Sequence, residues 1–442
     1  MLKNKKAVIG WALYDFANSA FATTVMAGFF PVFFKQYWSY GADINLSTAR
    51  LGFGNSIASL LIAIIAPVIG AIADRGSIKK KFLAFFAYLG SVMTASLYLV
   101  QKGDWVFAVV FYSIAVIGFS GANIFYDSLL PGIAEKDETD YVSGLGYGLG
   151  YLGGGLLFLL NVLMTLMPDK FGFADSASAV RFSFISVGVW WGVFTIFTLF
   201  LVPEKRFHLS GSIKRNLIKE GFRQFIETFK KIRSLKTIYL FLLAYWLYID
   251  GVDTIIRMAV DYGMSLGFDS KDLILSLLVV QFIGFPAAIC FGKLGQTWGT
   301  RRAIFLSIGI YMFITIWGSM MTTKTEFYIL AVIIGLSQGG IQALSRSYYL
   351  RLIPDDKAAE YFGFYNMMGK FAVIIGPALM GTTGLFAKRL LMPNNPSVLE
   401  AQNIGQLASR ISIASILILF IAGGILFYFV KDKASGPESA LP

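Results

Sequence analysis

Residues 70–81 read GAIADRGSIKKK, and residues 292–302 read GKLGQTWGTRR. Each follows a long apolar run, turns on glycine and closes on a block of cations. The interval from Gly70 to Gly292 is also the interval from Asp74 to Gln296, so the second stretch repeats the first. Working outward, Pro131 in FYDSLLPGIA stands at nearly the same interval from Pro354 in ALSRSYYLRLIP. Trp11, Tyr14 and Asp15 likewise have counterparts in Trp246, Tyr248 and Asp250 of YWLYIDGVDTI. The chain reads as two halves built on one plan.

Each half is too apolar for water. Of 442 residues, 56% are hydrophobic and 14% charged, and the mean hydropathy is +0.66, which excludes an ordinary soluble domain. Apolar runs of about 20 residues predict twelve membrane spans. They lie near 7–34, 51–73, 82–101, 105–128, 142–166, 181–202, 236–262, 272–293, 302–322, 326–350, 360–387 and 408–430. The fold class is therefore all-α and polytopic: an N-terminal six-helix bundle over 1–202, a linker over 203–235, a C-terminal six-helix bundle over 236–430 and a tail over 431–442. Lys3, Lys5 and Lys6 before the first run would suit a signal peptide. Its apolar core is too long and no small-residue cleavage site follows, so it reads as a retained first span.

The formal charge of +12 is a statement about topology. With the N-terminus inside, the cytoplasmic segments hold most of the 38 Lys and Arg, which is the positive-inside asymmetry. It predicts both termini in the cytoplasm and an inner or plasma membrane location, and it argues against nucleic acid as a partner. In the linker, Ile213, Leu217, Phe222, Phe225, Ile226, Phe229 and Ile232 recur at helical spacing between cations. That pattern suits an amphipathic helix on the inner leaflet or a solvated linker helix. The single cysteine, Cys290, sits in a span and the single histidine, His208, in the linker. No disulfide framework, metal site or cofactor is expected, and an enzyme is left without a nucleophile and base.

A charge at the centre of a membrane helix costs about 2.5–3.5 kcal/mol on insertion scales, so the intramembrane polar residues need reasons. Span 1 carries Asp15, Asn18 and Ser19 at helical spacing, span 4 Asn123, Tyr126 and Asp127, and span 7 Asp250, Asp253 and Arg257. Span 10 carries Gln338, Gln342 and Arg346 in steps of four, and span 11 Asn366 and Lys370. The candidate substrate-binding or coupling residues are Asp15, Asn18, Asn123, Tyr126, Asp250, Asp253, Arg257, Gln338, Gln342 and Lys370. Mixed charge of this kind suits the ammonium and carboxylate of a zwitterion, and Asp15, Asp250 and Asp253 are the candidates to carry a proton. Plainer readings stand beside these: Asp253 with Arg257 as a structural ion pair, and Asp15 as a helix-packing hydrogen bond. Asp127 and Arg346, near the cytoplasmic ends of their spans, read as a gating bridge, a structural pair or snorkelling side chains. The glycine run of span 5 follows no strand, so it serves close helix packing and not phosphate binding. Gly376-Pro377 marks a kink in span 11.

WALYDFANSAFATTV, YDSLLPGIA, YVSGLGYGLGYLGGGLL, LYIDGVDTI, GLSQGGIQALSRSYYLRLIP and EYFGFYNMMGKFAVIIGP resemble the unidentified major facilitator family, which is related to the autophagy-linked vacuolar amino-acid effluxers. The loop GAIADRGSIKKK resembles the loop motif of the major facilitator superfamily. The resemblance runs from span 1 to span 11. It implies the major facilitator fold, with spans 1, 4, 7 and 10 lining a central cavity, and secondary-active export of amino acids or similar solutes by alternating access. It also implies a cytoplasmic-gate role for Asp74 and Arg75. Gln296 replaces the acidic residue in the second loop, which confines that charge-based lock to the first half. The implied partners are a small solute, protons and membrane lipid, with the chain a monomer. An exporter or flippase of a lipid or amphiphile, and a receptor or scaffold without transport, use the same fold and remain alternatives.

Overall fold

The computed structural model describes residues 4–41, 50, 60–62, 65–66, 68–74, 78–204, 223, 226–227, 230, 235–371, 375–393 and 397–430. Their regular secondary structure is entirely helical, and ten helices among them are long and apolar enough to cross a membrane. In chain order the helices are α1 (Lys5–Trp38), α2 (described in parts between residues 60 and 74), α3 (Lys79–Ser96) and α4 (Trp105–Leu129). Then follow α5 (Thr139–Leu166), α6 (Ser176–Leu201), α7 (Lys236–Ser265) and α8 (Ser270–Trp298). The last four are α9 (Thr300–Met320), α10 (Lys324–Leu352), α11 (Ala358–Phe371 and Ile375–Leu391) and α12 (Val398–Tyr428). Eleven of these match expected spans, with α3, α5 and α6 starting a few residues earlier and α12 about ten, and the second expected span, 51–73, is described only in parts from residue 60. The expected amphipathic linker helix and the tail lie outside the described residues, apart from isolated linker positions.

Local chemistry sets the helix ends. Asp175 accepts the Ser178 N–H at 2.7 Å to start α6, and Thr323 with Glu326 and Ser397 with Glu400 form reciprocal capping boxes at α10 and α12. Hydroxyls inside the spans turn back on their own helix, as Thr195 does to the Trp191 carbonyl at 2.7 Å and Thr315 to Tyr311 at 2.8 Å. In a medium without water this satisfies a polar group at no cost in partners. Side chains such as Phe85, Phe107, Phe200, Phe313, Leu385 and Phe386 are exposed, as a lipid-facing surface requires. Pro31 withholds an N–H from α1. The helix is wound in π turns over Phe21–Phe29 and Phe34–Trp38 on either side of it.

Within the first six helices α1 packs on α5 and α6, and α3 on α4 and α6; within the last six α7 packs on α12 and α9 on α10. Helix α5 faces both halves, because it also packs along α8 and against α10. Its glycines make that possible. A β-carbon on Gly144 would lie 2.6 Å from the Ala288 carbonyl oxygen on α8, whereas one on Gly146 would lie 2.7 Å from Asp15 Oδ2 and 2.8 Å from the Trp11 ring on α1. Only a residue without a side chain lets α5 lie flat on both. The start of α9 meets the end of α12, where Arg301 donates to the Tyr428 carbonyl at 2.6 Å. Gly10 near the start of α1 lies on Leu201 at the end of α6. The starts of α1 and α9 and the ends of α6 and α12 thus share one face of the bundle, called the termini face below.

Candidate transport site

The centre of the site is a side chain from the second half lodged in the first. Arg346 on α10 is only 2% exposed and reaches across to α1, α4 and α5. Its Nε donates to Ser143 Oγ at 2.9 Å, one terminal nitrogen to the Ser143 carbonyl at 3.0 Å and the other to Asp127 Oδ1 at 3.1 Å. Asp15 Oδ2 lies 3.5 Å from that last nitrogen. Three rings surround the guanidinium: Tyr147 with its centroid at 4.4 Å, Trp11 at 4.7 Å and Tyr126 at 5.4 Å. The spacing of Gln338, Gln342 and Arg346 places them on one side of α10, and the two glutamines are half-buried.

The walls of this box hold one another. Trp11 stacks on Tyr126 with centroids 4.4 Å apart, and its indole N–H donates to the Tyr126 carbonyl at 2.9 Å. The Tyr126 hydroxyl donates to Asp15 Oδ2 at 2.7 Å. One turn further into the bundle, Asn18 donates to Asn123 Oδ1 at 2.6 Å. Asn366 on α11 donates to Asp127 Oδ2 at 3.4 Å, so Asp127 is held by both α10 and α11 of the second half.

Two further ties join the halves at the termini face. Asp74, at the end of α2, accepts the backbone N–H groups of Ala359 at 3.2 Å and Glu360 at 2.8 Å, the start of α11, and pairs with Lys79 at 2.7 Å. A carboxylate on the free N–H groups of a helix start is favoured by both hydrogen bonding and the helix dipole. Arg75 lies outside the described residues. At the opposite corner Asp140, fully buried on the first turn of α5, accepts from Thr300 Oγ1 and from Arg351, each at 2.7 Å, and from Ser347 Oγ. Gln296 donates its amide to the Asp137 carbonyl at 2.6 Å. The second loop thus keeps a tie to the other half after losing its acid, and the acidic partner stands on α5 instead. Just past α6, Glu204 accepts the Lys79 N–H at 2.6 Å, and burial pushes its carboxyl above the ordinary value.

Asp250 occupies a different environment from the one its charge suggests. It is fully buried on α7, and its oxygens accept the Gly376 N–H at 2.9 Å, the Ile375 N–H at 3.1 Å and the Thr254 hydroxyl at 3.2 Å. It therefore ties α7 to the backbone of α11 beside Gly376-Pro377 and has little capacity left for a solute. Asp250→Ala is expected to lower the thermal midpoint of the purified protein by a few degrees through loss of three buried hydrogen bonds, and Asp250→Asn to keep about half of that stability. An unchanged midpoint in both variants refutes the tie between α7 and α11. Asp253 is half-buried and Arg257 exposed on the same helix. Lys370 lies on α11, and its side chain is outside the described residues. Sequence reasoning missed Ser143, Tyr147, Asp140, Thr300 and Arg351. The available signal was DYVSG at the start of α5, where an acid in a first turn reads as a local cap and conceals its cross-half partners.

The comparisons with known proteins agree with this architecture. The family described as vacuole effluxer Atg22 like matches residues 40–383. The chain belongs to the Atg22-like vacuole effluxer family. A relative from Bacillus subtilis (strain 168), described as an uncharacterized MFS-type transporter, YxiO, is 38% identical over 429 residues, covering 96% of this chain and 95% of its own. Autophagy-related protein 22 of Saccharomyces cerevisiae is 24% identical over 461 residues, covering 86% of each chain. Among solved structures, the major facilitator superfamily (MFS) proton:xylose symporter XylE superposes with a TM-score of 0.67 at 14% identity, covering 97% of this chain and 95% of that one. The human organic anion transporter MFSD10 superposes equally well, at 12% identity and covering 97% and 100%. This Atg22-like protein is thus a multi-pass membrane protein with the twelve-helix major facilitator fold, and it works as a secondary transporter and not as an enzyme.

Proposed function

We propose that the protein exports a small zwitterion, an amino acid or a similar solute, by alternating access between its two six-helix halves. The termini face is the cytoplasmic one in this reading, in keeping with the positive-inside asymmetry, and the membrane is the plasma or inner membrane. The observation that carries the proposal is the Arg346 bridge. A single guanidinium from α10 is shared by Asp15, Asp127 and Ser143 of the other half, so nothing passes the termini face until the bridge parts. Asp127 with Arg346 and Asp74 with the start of α11 are the gate of this mechanism, and Asp140 with Arg351 is a third member. Charges of both signs on α1, α4, α7 and α10 support a dipolar substrate, and the effluxer description of the family supports the direction.

Counterflow of a labelled amino-acid panel in proteoliposomes, with and without a pH gradient, tests the reading. The expected result is exchange of one or more amino acids, with a response to the gradient if protons are coupled. Exchange of no amino acid, together with movement of a lysolipid or other amphiphile, would favour the competing exporter reading and sink this one.

A further inference from the structure

Every wall of the box around Arg346 belongs to the first half of the chain: Trp11 and Asp15 on α1, Tyr126 and Asp127 on α4, Ser143 and Tyr147 on α5. From the second half come the occupant itself, the Asn366 amide on Asp127 and the Ala343 carbonyl that accepts the Ser143 hydroxyl. Any movement that separates the halves at the termini face empties the box without dismantling it, because the stacking of Trp11 on Tyr126 and the Tyr126 to Asp15 hydrogen bond lie within the first half. What remains is two carboxylates, a serine and three aromatic rings, which is the donor-accepting, ring-lined surface that recognises an ammonium or guanidinium group. Two buried carboxylates without a cation are costly, and the cost falls on the open state unless another cation enters. The ties at Asp74 and Asp140 lack this character, since their second-half partners are backbone N–H groups in one case and hydroxyls with a half-exposed arginine in the other.

We propose that this box is the seat of the substrate's ammonium group, and that Arg346 is a tethered cation that fills it whenever the termini face closes. The proposal rests on the zwitterion reading above. Arg346 and the substrate ammonium exclude each other. A solute entering from the termini face is held by Asp15, Asp127 and the three rings, and the return of Arg346 displaces it towards the interior of the bundle. Sealing and release become one event, with no second gate needed to expel the ammonium from its seat. The residues that the reading requires are Trp11, Asp15, Tyr126, Asp127, Tyr147 and Arg346.

The test is binding of propylammonium and of guanidinium to the purified full-length protein, with propanol and propionate as controls. Arg346→Gln is expected to bind both cations about tenfold or more tightly than the unaltered protein, because the competing state is removed. Adding Asp15→Asn and Asp127→Asn is expected to erase the gain, and neither control is expected to bind. Equal affinity with and without Arg346, or a gain that survives loss of both carboxylates, overturns the proposal. Should Arg346→Gln fail to fold, Ala343→Cys on a Cys290→Ser background reports on the unaltered box, since Ala343 is fully buried beside the bridge. Propylammonium is expected to raise its labelling by a water-soluble maleimide several-fold, and labelling that does not change overturns the proposal. These arms need no transport. Amino-acid counterflow combined with an indifferent box would defeat this proposal alone, and probe binding without any counterflow would defeat the zwitterion reading instead.

Discussion

Arg346→Ala is expected to abolish counterflow and to produce the largest loss of stability of any single substitution in the bundle. Removing one partner of a buried charge pair costs about 3–5 kcal/mol, because the remaining charge stays out of water without compensation. Here two carboxylates are left, Asp15 with its side chain 11% exposed and Asp127 with 9%, and Ser143 loses two of its contacts across the seam. Arg346→Lys is expected to recover only part of the loss. An ammonium is a compact point charge and cannot reach Ser143 Oγ, the Ser143 carbonyl and Asp127 in one plane. Asp127→Asn is expected to be milder, since its amide oxygen still accepts from Arg346 while Asp15 keeps the charge. Thermal unfolding and proteoliposome counterflow measure all three, and Arg346→Ala indistinguishable from the parent in both assays would remove the bridge from the mechanism.

The second large effect lies behind the box. Gly146→Val is expected to lower stability by about 1–3 kcal/mol, the usual range for overpacking, and to abolish transport. The first added carbon already falls 2.7 Å from Asp15 Oδ2, 2.8 Å from Trp11 and 2.9 Å from the Tyr126 hydroxyl, and the two methyl groups reach further. All three neighbours are walls of the box, so the damage goes to function as well as to packing. Gly309→Ala is the matching control. It sits within α9 with nothing within 4 Å of the added carbon and is expected to leave transport intact, with stability unchanged or slightly raised. Equal effects of the two substitutions would mean that Gly146 has no special place.

The repeat seen in the loops holds in the interior, but its chemistry diverges. Asp15 and Asp250, each four residues after a tryptophan (Trp11 and Trp246), both face a glycine on the fifth helix of their half: Gly146 on α5 and Gly376 on α11. Asp15 there meets a tyrosine and an arginine, whereas Asp250 meets the backbone N–H groups of Ile375 and Gly376. The sequence displayed the acid and the Gly-Pro pair separately. That one satisfies the other depends on how α7 and α11 lie together, which no local pattern encodes. The Asp127 to Arg346 pairing stood among several readings because each residue near a helix end could have reached water on its own. Asp140 was illegible for a related reason, its partners lying on α9 and α10, far along the chain. The spans were legible because a membrane imposes a single length and a single composition on each of them.

Across the seam the polar ties share a direction. Asp15, Asp74, Asp127 and Asp140, on the first half, accept; Arg346, Arg351, Thr300, Ser347, Asn366 and the N–H groups of Ala359 and Glu360, on the second, donate. Gln296 donates from the same side, and the Ser143 hydroxyl, which donates to the Ala343 carbonyl, runs the other way. If the halves part as proposed, such a seam becomes a mouth with one negative lip and one positive lip. A dipolar molecule passing between them is turned before it arrives, its positive end towards α1 and α4 and its negative end towards α10 and α11. In the proposed mechanism, the same residues that close the protein would serve, when it opens, as the field that orients what enters.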